Sequence, residues 1–294
     1  MRRIVVAFFV ALLTAAGIAV PGLAAAAGAS ACARQPRDAV AQMCGDVDEK
    51  MYGLFATFIY PDVSYGPFAG TWPADFYNET QFFTDDAMTK SFAVGLDIHY
   101  TGTGSDYQPY WVDYTAGYDF HKIGTPATAS DRRNHTFTVL PTCENCSTWD
   151  IYYDFTKVGT TSAQPNPMSH HIMTGWDLTD IPGQVALTAT SNRVRYLTGN
   201  NIFAQFRRAA VTSRAPDGDC SPGASALYCF HFDTAITTVG TTGDVASWDV
   251  TKRIVNPGAA AMSHPIPLPP AAADDADALL ARAQHLADTH RRQR

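Results

Sequence analysis

Short segments in which apolar and polar residues alternate recur along the chain, and this pattern constrains its fold more than any other feature. In SFAVGLDIHY (Ser91–Tyr100), Phe92 and Leu96 fall on one face, and Asp97 and His99 fall on the other. Because successive side chains of a β-strand point to opposite faces of its sheet, this pattern predicts a strand with one buried face.

The same period of two continues in LFATFIY (Leu54–Tyr60) and in later segments: PYWVDYT, NHTFTVL, TWDIYYDF, QVALTAT, ALYCFHFDTAITTV and SWDVTKRIV. Clusters of turn-forming residues, such as TGTGSD and APDGDCSPG, separate these segments. Many short strands without alternating helices are typical of two packed antiparallel sheets. The sequence therefore predicts an all-β fold, an antiparallel β-sandwich of the jelly-roll type.

The first 31 residues have the features of a secretory signal peptide. Arg2 and Arg3 precede a long apolar run, and small residues follow it. We therefore expect a secreted, extracellular protein. Cys32 directly follows one possible cleavage point, so lipidation of this cysteine is an alternative. No later stretch is apolar for long enough to span a bilayer.

The two ends of the mature chain differ from its centre. A short N-terminal helix is predicted around Pro36–Met43, and the final segment DDADALLARAQHLADTHRRQR has a thin apolar stripe at Leu279, Ala283 and Leu286. A mobile tail is the preferred interpretation of that segment, and docking on the sandwich is the alternative. The predicted organisation is a signal peptide (1–31), a β-sandwich domain (32–255), a Pro/Ala linker (256–272) and a C-terminal helix or disordered tail (273–294).

The formal net charge of −7 argues against a nucleic-acid partner, which would favour a basic surface. Nearly all of the acidity comes from aspartate, since the only glutamates are Glu49, Glu79 and Glu144. Aspartate suits turns and loops, in agreement with a β-rich fold. A site built from paired glutamates would have to use these three residues, which are far apart in sequence.

The six cysteines form three pairs of near neighbours: Cys32 and Cys44, Cys143 and Cys146, and Cys220 and Cys229. In an exported chain this arrangement predicts three local disulfides. A redox Cys-x-x-Cys normally precedes a helix, whereas CENC lies between two predicted strands. A tie across a hairpin turn is therefore the favoured interpretation, with redox exchange and a four-cysteine zinc site as alternatives.

Alternation places acids, imidazoles and aromatic rings together on several strand faces. The candidate ligand-binding residues are Asp97, His99, Trp111, Asp113, Tyr152, His231 and Asp233. If their strands are neighbours in one sheet, these side chains would line a groove suited to a polysaccharide. The alternative is that each polar face is simply the solvated side of an amphipathic strand.

Two aspartates of TWDIYYDF are the candidate catalytic residues. Asp150 and Asp154 are predicted to flank Tyr152 on one strand face, where they would form an acid/base pair. His170 and His171 are adjacent and would point to opposite faces of a strand, so we expect no metal site there but a surface or loop role. No cofactor-binding motif is present, and we expect no cofactor.

The segments TWDIYYDFTKVGTTS and MTGWDLTD…ATSNRVRYL resemble concanavalin-like jelly rolls and secreted actinobacterial β-sandwich proteins of unknown function. The resemblance extends over about Phe92 to Val255. Such folds include lectins, glycan-binding modules, glucanases and acid peptidases, so it implies an architecture more than an activity. The glucanases carry two glutamates around an aspartate on one strand, whereas this chain has Asp150 and Asp154 there. The glutamic peptidases need glutamates on their sheet, and Glu79 and Glu144 lie outside such a pattern.

These observations predict a monomeric secreted β-sandwich that binds an extracellular polysaccharide or cell-wall polymer without catalysis. One alternative is a secreted hydrolase of the glycoside hydrolase type that uses the paired aspartates. The other is a structural envelope protein whose C-terminal helix contacts a partner.

Overall fold

The alternating segments form antiparallel strands in a computed structural model. The structure describes residues 39–47, 49–65, 75–169, 171–178, 185–206, 211–214, 230–239, 244–254 and 270–293. Strands are numbered along the chain from β1 to β16, and one helix, α1, follows them. Every strand pair in this part of the chain is antiparallel, and the strands form two sheets.

The first sheet has seven strands. In spatial order they are β14 (Val211–Arg214), β1 (Ala39–Asp46), β11 (His171–Leu178), β4 (Asp75–Phe83), β5 (Ser91–Tyr100), β6 (Ser105–Asp113) and β7 (Asp119–Lys122). Strands that are distant in sequence are neighbours here, since β11 lies between β1 and β4. The centre of this sheet is therefore built by long-range pairing.

The second sheet has nine strands. Its main order is β10 (Thr156–Thr160), β9 (Trp149–Tyr153), β8 (Asn134–Pro141), β2 (Gly53–Ile59), β12 (Val185–Leu197), β16 (Asp244–Ile254) and β15 (Phe230–Val239). The short strands β3 (Val63–Tyr65) and β13 (Phe203–Ala204) also pair with β12.

The inner faces of the two sheets enclose one apolar core, which confirms the predicted antiparallel β-sandwich. Trp149, Trp176 and Trp248 are each almost completely buried in it. Asn78 of β4 and Asn192 of β12 exchange side-chain amide hydrogen bonds of 3.0 and 2.7 Å across the core. Because each buried amide group needs a partner, this pair favours one alignment of the two sheets.

The predicted helix at Pro36–Met43 is wrong over the residues that the structure describes, because Ala39–Asp46 forms β1. This strand pairs with β11 on one side and with β14 on the other. Ala41 and Met43 point into the core. Tertiary pairing thus overrides the helical propensity of AVAQM.

Helix α1 (Pro270–Arg292) lies against the outer face of the nine-stranded sheet. Ala283 and Ala287 are buried there against Phe55 and Leu140. The preferred interpretation of this segment as a mobile tail therefore gives way to its alternative, a docked helix. The helix begins at Pro270, in the predicted linker, and residues 255–269 and the predicted signal peptide lie outside the described residues. In the described part no helix has the length and apolar character that crossing a membrane requires.

Cys143 and Cys146 form a disulfide in the turn between β8 and β9, with their Cα atoms 4.9 Å apart. The prediction of a tie across this hairpin is confirmed, and the redox and zinc alternatives lose their support. Cys44 is also disulfide-bonded. The other cysteines of the predicted pairs, Cys32, Cys220 and Cys229, lie outside the described residues.

Candidate functional site

Glu79 occupies the centre of the outer face of the seven-stranded sheet. Phe76, Asn78, Thr80 and Phe82 of β4 are all buried on the core side, so alternation turns Glu79 outward. Its neighbours in register are both glycines, Gly175 on β11 and Gly95 on β5. A Cβ atom on Gly95 would lie 2.9 Å from the Cα atom of Glu79, closer than side-chain atoms approach. The positions on either side of the glutamate therefore carry no side chain.

Two aspartates flank a tyrosine in the next row of the same face. Tyr77 lies two residues before Glu79 on β4, and its register partners are Asp177 on β11 and Asp97 on β5. Residues offset by two positions on adjacent strands lie roughly 7–8 Å apart at their Cα atoms. Asp97 and Asp177 therefore lie on either side of Tyr77, and Glu79 lies in the next row.

Aromatic rings from β6, β7 and the turn between them cover the other side of Glu79. Tyr110 donates a hydrogen bond of 2.7 Å from its hydroxyl group to Glu79 Oε2. The Tyr110 ring stacks on Phe120 with 4.7 Å between ring centroids, and Phe120 in turn stacks on Tyr118 at 6.0 Å. Tyr118 is 63% exposed, one of the two most exposed large apolar side chains in the described part of the chain.

These groups enclose a cavity of about 150 Å³ on the sheet surface. The lining residues are Tyr77, Glu79, Tyr110, Val112, Tyr114, Tyr118, Phe120 and Asp177. Pockets that enclose a drug-sized molecule measure roughly 300–1,000 Å³. This cavity is smaller, so it is suited to one group of a larger ligand that continues along the sheet.

Burial changes the acidity of the groups in this site. Desolvation raises the pKa of Glu79, and the hydrogen bond from Tyr110 opposes this only in part. Burial and the nearby Asp75 carboxylate raise the pKa of Asp97 to about 6, although His99 and Lys122 act in the opposite direction. Perturbed carboxyl groups beside a cavity are typical of functional sites.

The structure places Asp97 and His99 on this outer face, as the alternation predicts. Asp97 belongs to the row beside the cavity. His99 is partly exposed and its Nδ1 atom lies 2.5 Å from Asp75 Oδ1. Of the residues predicted to bind a ligand, Asp97 is therefore the one beside the cavity, and His99 borders the same face.

Trp111 and Asp113 of β6 face the interior instead. Trp111 is 5% exposed and stacks on His121 at 3.8 Å. Asp113 is 1% exposed and accepts hydrogen bonds from the backbone and side chain of Ser162 and from Gln164 Nε2. The prediction that this pair contributes to an exposed groove is corrected, because β6 turns its Tyr110 and Val112 side outward.

The predicted catalytic pair does not lie on one strand face. Asp150 is buried in β9, where it bonds to Thr160 Oγ1 at 2.8 Å and pairs with Lys157 at 2.8 Å. Asp154 follows the end of β9, in the turn before β10, with φ at 45°. It accepts a hydrogen bond from the backbone of Thr136 and pairs with His135. The two carboxylates therefore interact with different residues and do not form the predicted acid/base pair.

Tyr152 lies under α1 rather than on an open surface. It is 8% exposed, and its hydroxyl group lies 3.3 Å from His290 Nδ1. His231 and Asp233 pair with each other at 3.0 Å on β15, at the far end of the nine-stranded sheet from β9. The residues predicted to line one groove therefore lie on two different sheets, because β5 and β6 belong to one sheet and β9 and β15 to the other.

The sequence analysis did not identify most residues of the cavity, namely Tyr77, Glu79, Tyr110, Tyr114, Tyr118, Phe120 and Asp177. The signal was present in DFYNETQFF, where Asp75, Tyr77, Glu79 and Gln81 alternate with residues of the core. Its Asp, Asn and Glu residues are rare in strands and hide the pattern. The sequence analysis placed Glu79 outside a pattern of glutamates on a sheet, whereas in the structure it lies at the centre of the outer face of the seven-stranded sheet.

Two larger cavities lie beside the end of α1. One, of about 370 Å³, lies between the disulfide turn at Glu144 and Asn145 and the helix at Arg291. The other, of about 560 Å³, is a shallow space around Asn201 and Asp288. Among their described lining residues neither brings several aromatic rings and carboxylates together, so the sheet face is the stronger candidate.

The described residues include no group of three or more His, Cys, Asp or Glu side chains arranged to hold a metal ion. His171 is 5% exposed in β11, so the surface or loop role predicted for it is wrong, and His170 lies outside the described residues. Strand β11 extends through His171 and its pairing with β1 and β4 buries the side chain.

No protein-family model matches the chain, and no curated protein matches it either. The resemblance to secreted actinobacterial β-sandwich proteins therefore stays a prediction. Among solved structures, scytalido-glutamic peptidase with a transition-state analogue inhibitor matches at 13% identity and a TM-score of 0.42, over 74% of this chain and 98% of that chain. Bacillus licheniformis β-glucanase matches at 15% identity and a TM-score of 0.26, over 46% of this chain and 57% of that chain. At these scores the similarity carries no information about activity or ligand.

Proposed function

We propose that this protein is secreted and binds an extracellular polysaccharide on the outer face of the seven-stranded sheet. The observation that carries the proposal is the cavity in which stacked aromatic rings and carboxylates lie side by side. The predicted signal peptide and the disulfide at Cys143–Cys146 support the extracellular location, because disulfides persist in oxidising compartments.

The chemistry of the face suits a sugar polymer. A pyranose ring has apolar C–H faces, which pack on aromatic rings such as the exposed Tyr118. Its hydroxyl groups are hydrogen-bond donors, and carboxylates such as Glu79 and Asp97 offer several acceptor sites each. A chain of sugars lying along the sheet would place one unit at the cavity and its neighbours on the surrounding rings.

Hydrolysis by Asp150 and Asp154 is the weaker candidate. Glycosidases hold their two carboxyl groups on either side of the scissile bond. Here Asp150 is buried and paired with Lys157, and Asp154 is paired with His135. We therefore propose binding without catalysis by this pair, in a protein that acts as a monomer.

Removal of one aromatic ring tests the proposal. Tyr118 has φ at 61°, a conformation that asparagine tolerates, so Tyr118→Asn removes the ring with little strain. We expect about threefold to tenfold weaker retention on insoluble polysaccharides, since one aromatic contact contributes about 0.5–1.5 kcal/mol. Depletion of the mature protein from solution over a panel of plant and microbial polymers measures this change.

The matched control is Ile202→Asn. Ile202 is similarly exposed, at 58%, and like Tyr118 it lies in a turn next to a residue with positive φ. It lies beside α1 on the other sheet. Retention by this variant should equal that of the wild type. Equal retention by both variants, or failure of the wild type to bind any polymer in the panel, would contradict the proposed function. Release of soluble sugar by the wild type would identify an enzyme instead.

A further inference from the structure

We propose that the cavity beside Glu79 recognises an ammonium group, so that the polymer bound on this sheet carries free amines, as a β-1,4-linked glucosamine polymer does. The inference rests on the proposed function and specifies its ligand class. It follows from the arrangement of aromatic rings, from the carboxylates beside the cavity, and from an oxygen atom of Asp97 that makes no hydrogen bond among the described residues.

The aromatic rings of the cavity form an incomplete cage. Tyr77 and Tyr110 meet edge to face, with their planes 88° apart and their centroids 6.0 Å apart. Phe120 and Tyr118 extend this wall, and Tyr114 closes it, with its ring 6.0 Å from that of Tyr118. A cation within about 6 Å of a ring centroid is attracted by the negative face of the ring. Aromatic cages recognise quaternary ammonium ligands through this attraction, which also acts on a primary ammonium group.

Burial keeps these tyrosines neutral and able to act in such a cage. Desolvation raises the pKa values of Tyr77, Tyr110 and Tyr114, and the charges of nearby carboxylates raise each of them further. The rings therefore do not ionise at ordinary pH. Their hydroxyl groups remain neutral donors, as the bond from Tyr110 to Glu79 shows.

Four carboxylates lie on this part of the sheet. Glu79 and Asp177 line the cavity, and Asp97 and Asp75 lie in the next two rows. The positive groups that face Asp97 in the described part of the chain are Lys122 on β7 and His99 on β5, and His99 already contacts Asp75. An ammonium group placed over Tyr77 would be attracted by these carboxylates.

Asp97 also presents an acceptor atom without a partner. Among the described residues, its Oδ1 atom is buried and makes no hydrogen bond. A buried acceptor that is left unpaired costs free energy, which a donor from a ligand would recover. An ammonium group has three donors and no acceptor, and so matches a site whose charged groups are acceptors. An N-acetyl group has one donor and adds an acceptor that would face these carboxylates.

Three oligosaccharides with the same backbone test the inference. Hexamers of β-1,4-linked glucosamine, N-acetylglucosamine and glucose differ only in the substituent at one carbon. Titration calorimetry just above the pKa of about 6 of Asp97, where that carboxylate is mostly ionised and part of the amines still carry protons, gives the three dissociation constants. We expect the wild type to bind the glucosamine hexamer at least tenfold more tightly than either of the other two.

Two variants locate the effect. Asp97→Asn should reduce the preference for the glucosamine hexamer to threefold or less, because it removes the negative charge and keeps one acceptor oxygen. Glu79→Gln should do the same and keeps the bond from Tyr110 available. The matched control, Asp275→Asn, removes an exposed carboxylate from α1 on the other sheet and should leave the preference unchanged.

The outcomes separate this inference from the proposed function. Equal affinity for all three hexamers would support polysaccharide binding and overturn the ammonium preference. Binding of none of them would overturn both. Binding of hexalysine but not of the glucosamine hexamer would overturn an amino-sugar ligand in favour of a basic peptide. A preference that survives both Asp97→Asn and Glu79→Gln would also overturn the inference.

Discussion

Glu79 lies in the middle of a sheet between two positions that have no side chain. Gly175 and Gly95 are its partners in register on the two adjacent strands. Gly175 also has φ at 155°, and a Cβ atom there would collide with the carbonyl oxygen of Ala41 and lie 2.7 Å from Gln42 Cα. Both contacts are with backbone atoms, which cannot move aside as a flexible side chain can.

The close approach of β1 to Gly175 gives the first stability prediction. Gly175→Ala should lower the free energy of unfolding by about 2 kcal/mol or more, since overpacking a well-packed site costs roughly 1–3 kcal/mol and the strand must shift. Chemical denaturation measures the change. The control is Gly104→Ala, because a Cβ atom there meets nothing within 4 Å. An equal effect of the two substitutions would contradict this explanation.

At the scale of single elements, the local sequence of β4 disfavours the strand that it forms, whereas the local sequence of α1 favours the helix that it forms. Strand β4 carries Asp75, Asn78 and Glu79, residues that disfavour strands, and it is nevertheless central in its sheet. Helix α1 contains good helix formers, and its apolar stripe is recognisable in the sequence. The sequence does not show where that stripe packs, because an amphipathic helix of this kind suits any apolar surface.

The docking of α1 depends on its small buried residues. Ala283 is fully buried against the sheet, whereas Ala281 is exposed on the same helix. We expect Ala283→Glu to detach the helix, because a buried carboxylate without a partner is costly. Amide hydrogen exchange in the helix should then accelerate by roughly tenfold or more. A tenfold change corresponds to a loss of about 1.4 kcal/mol of docking free energy.

Ala281→Glu is the matched control for this experiment. Glutamate is a good helix former at both positions, so intrinsic helix propensity changes equally in the two variants. Exchange in the control should resemble that of the wild type. Similar exchange in the two variants would mean that the contacts of α1 with the sheet do not protect it.

At the scale of the whole molecule, His135 connects the loop that follows β7 to the nine-stranded sheet. His135 of β8 pairs through Nδ1 with Asp154 at 2.7 Å and through Nε2 with Asp131 of that loop at 3.1 Å. The His135 ring stacks on Tyr60 at 4.1 Å, and Tyr60 stacks on Tyr107 of the other sheet at 5.3 Å. The cluster therefore links both sheets and the loop.

This cluster predicts a dependence of stability on pH. Burial alone would lower the pKa of His135, but the hydrogen bond and charge of Asp154 and the charge of Asp131 raise it above the ordinary value. The folded state thus binds the proton more tightly than the unfolded state. The stabilisation is complete below the unfolded pKa of about 6.5 and is lost as the pH rises through the raised folded pKa.

We expect a loss of about 1 kcal/mol across that range, because both carboxylates are partly exposed and screened by solvent. Chemical denaturation at a series of pH values measures it. His135→Gln should remove this component of the pH dependence, and His285→Gln, at an exposed position of α1, should leave it unchanged. The same pH profile for His135→Gln and the wild type would show that the cluster does not couple to stability.

The sequence by itself determined the fold class, the boundaries of β5, the disulfide at Cys143–Cys146 and the presence of the C-terminal helix. These features depend on local patterns: alternation over ten residues, a cysteine spacing between two strands, and helical periodicity. Asp97 was identified for the same reason, because its outward direction follows from its place in β5.

Only the tertiary structure decided which polar faces come together. Trp111 and Asp113 face the core, and Tyr152 lies under α1. Glu79 is brought beside Asp97 and Asp177 by pairing of β4 with β5 and with the distant β11. Alternation fixes the two faces of a strand but not which face meets the core, and long-range pairing depends on the packing energy of the whole chain, which no local pattern contains.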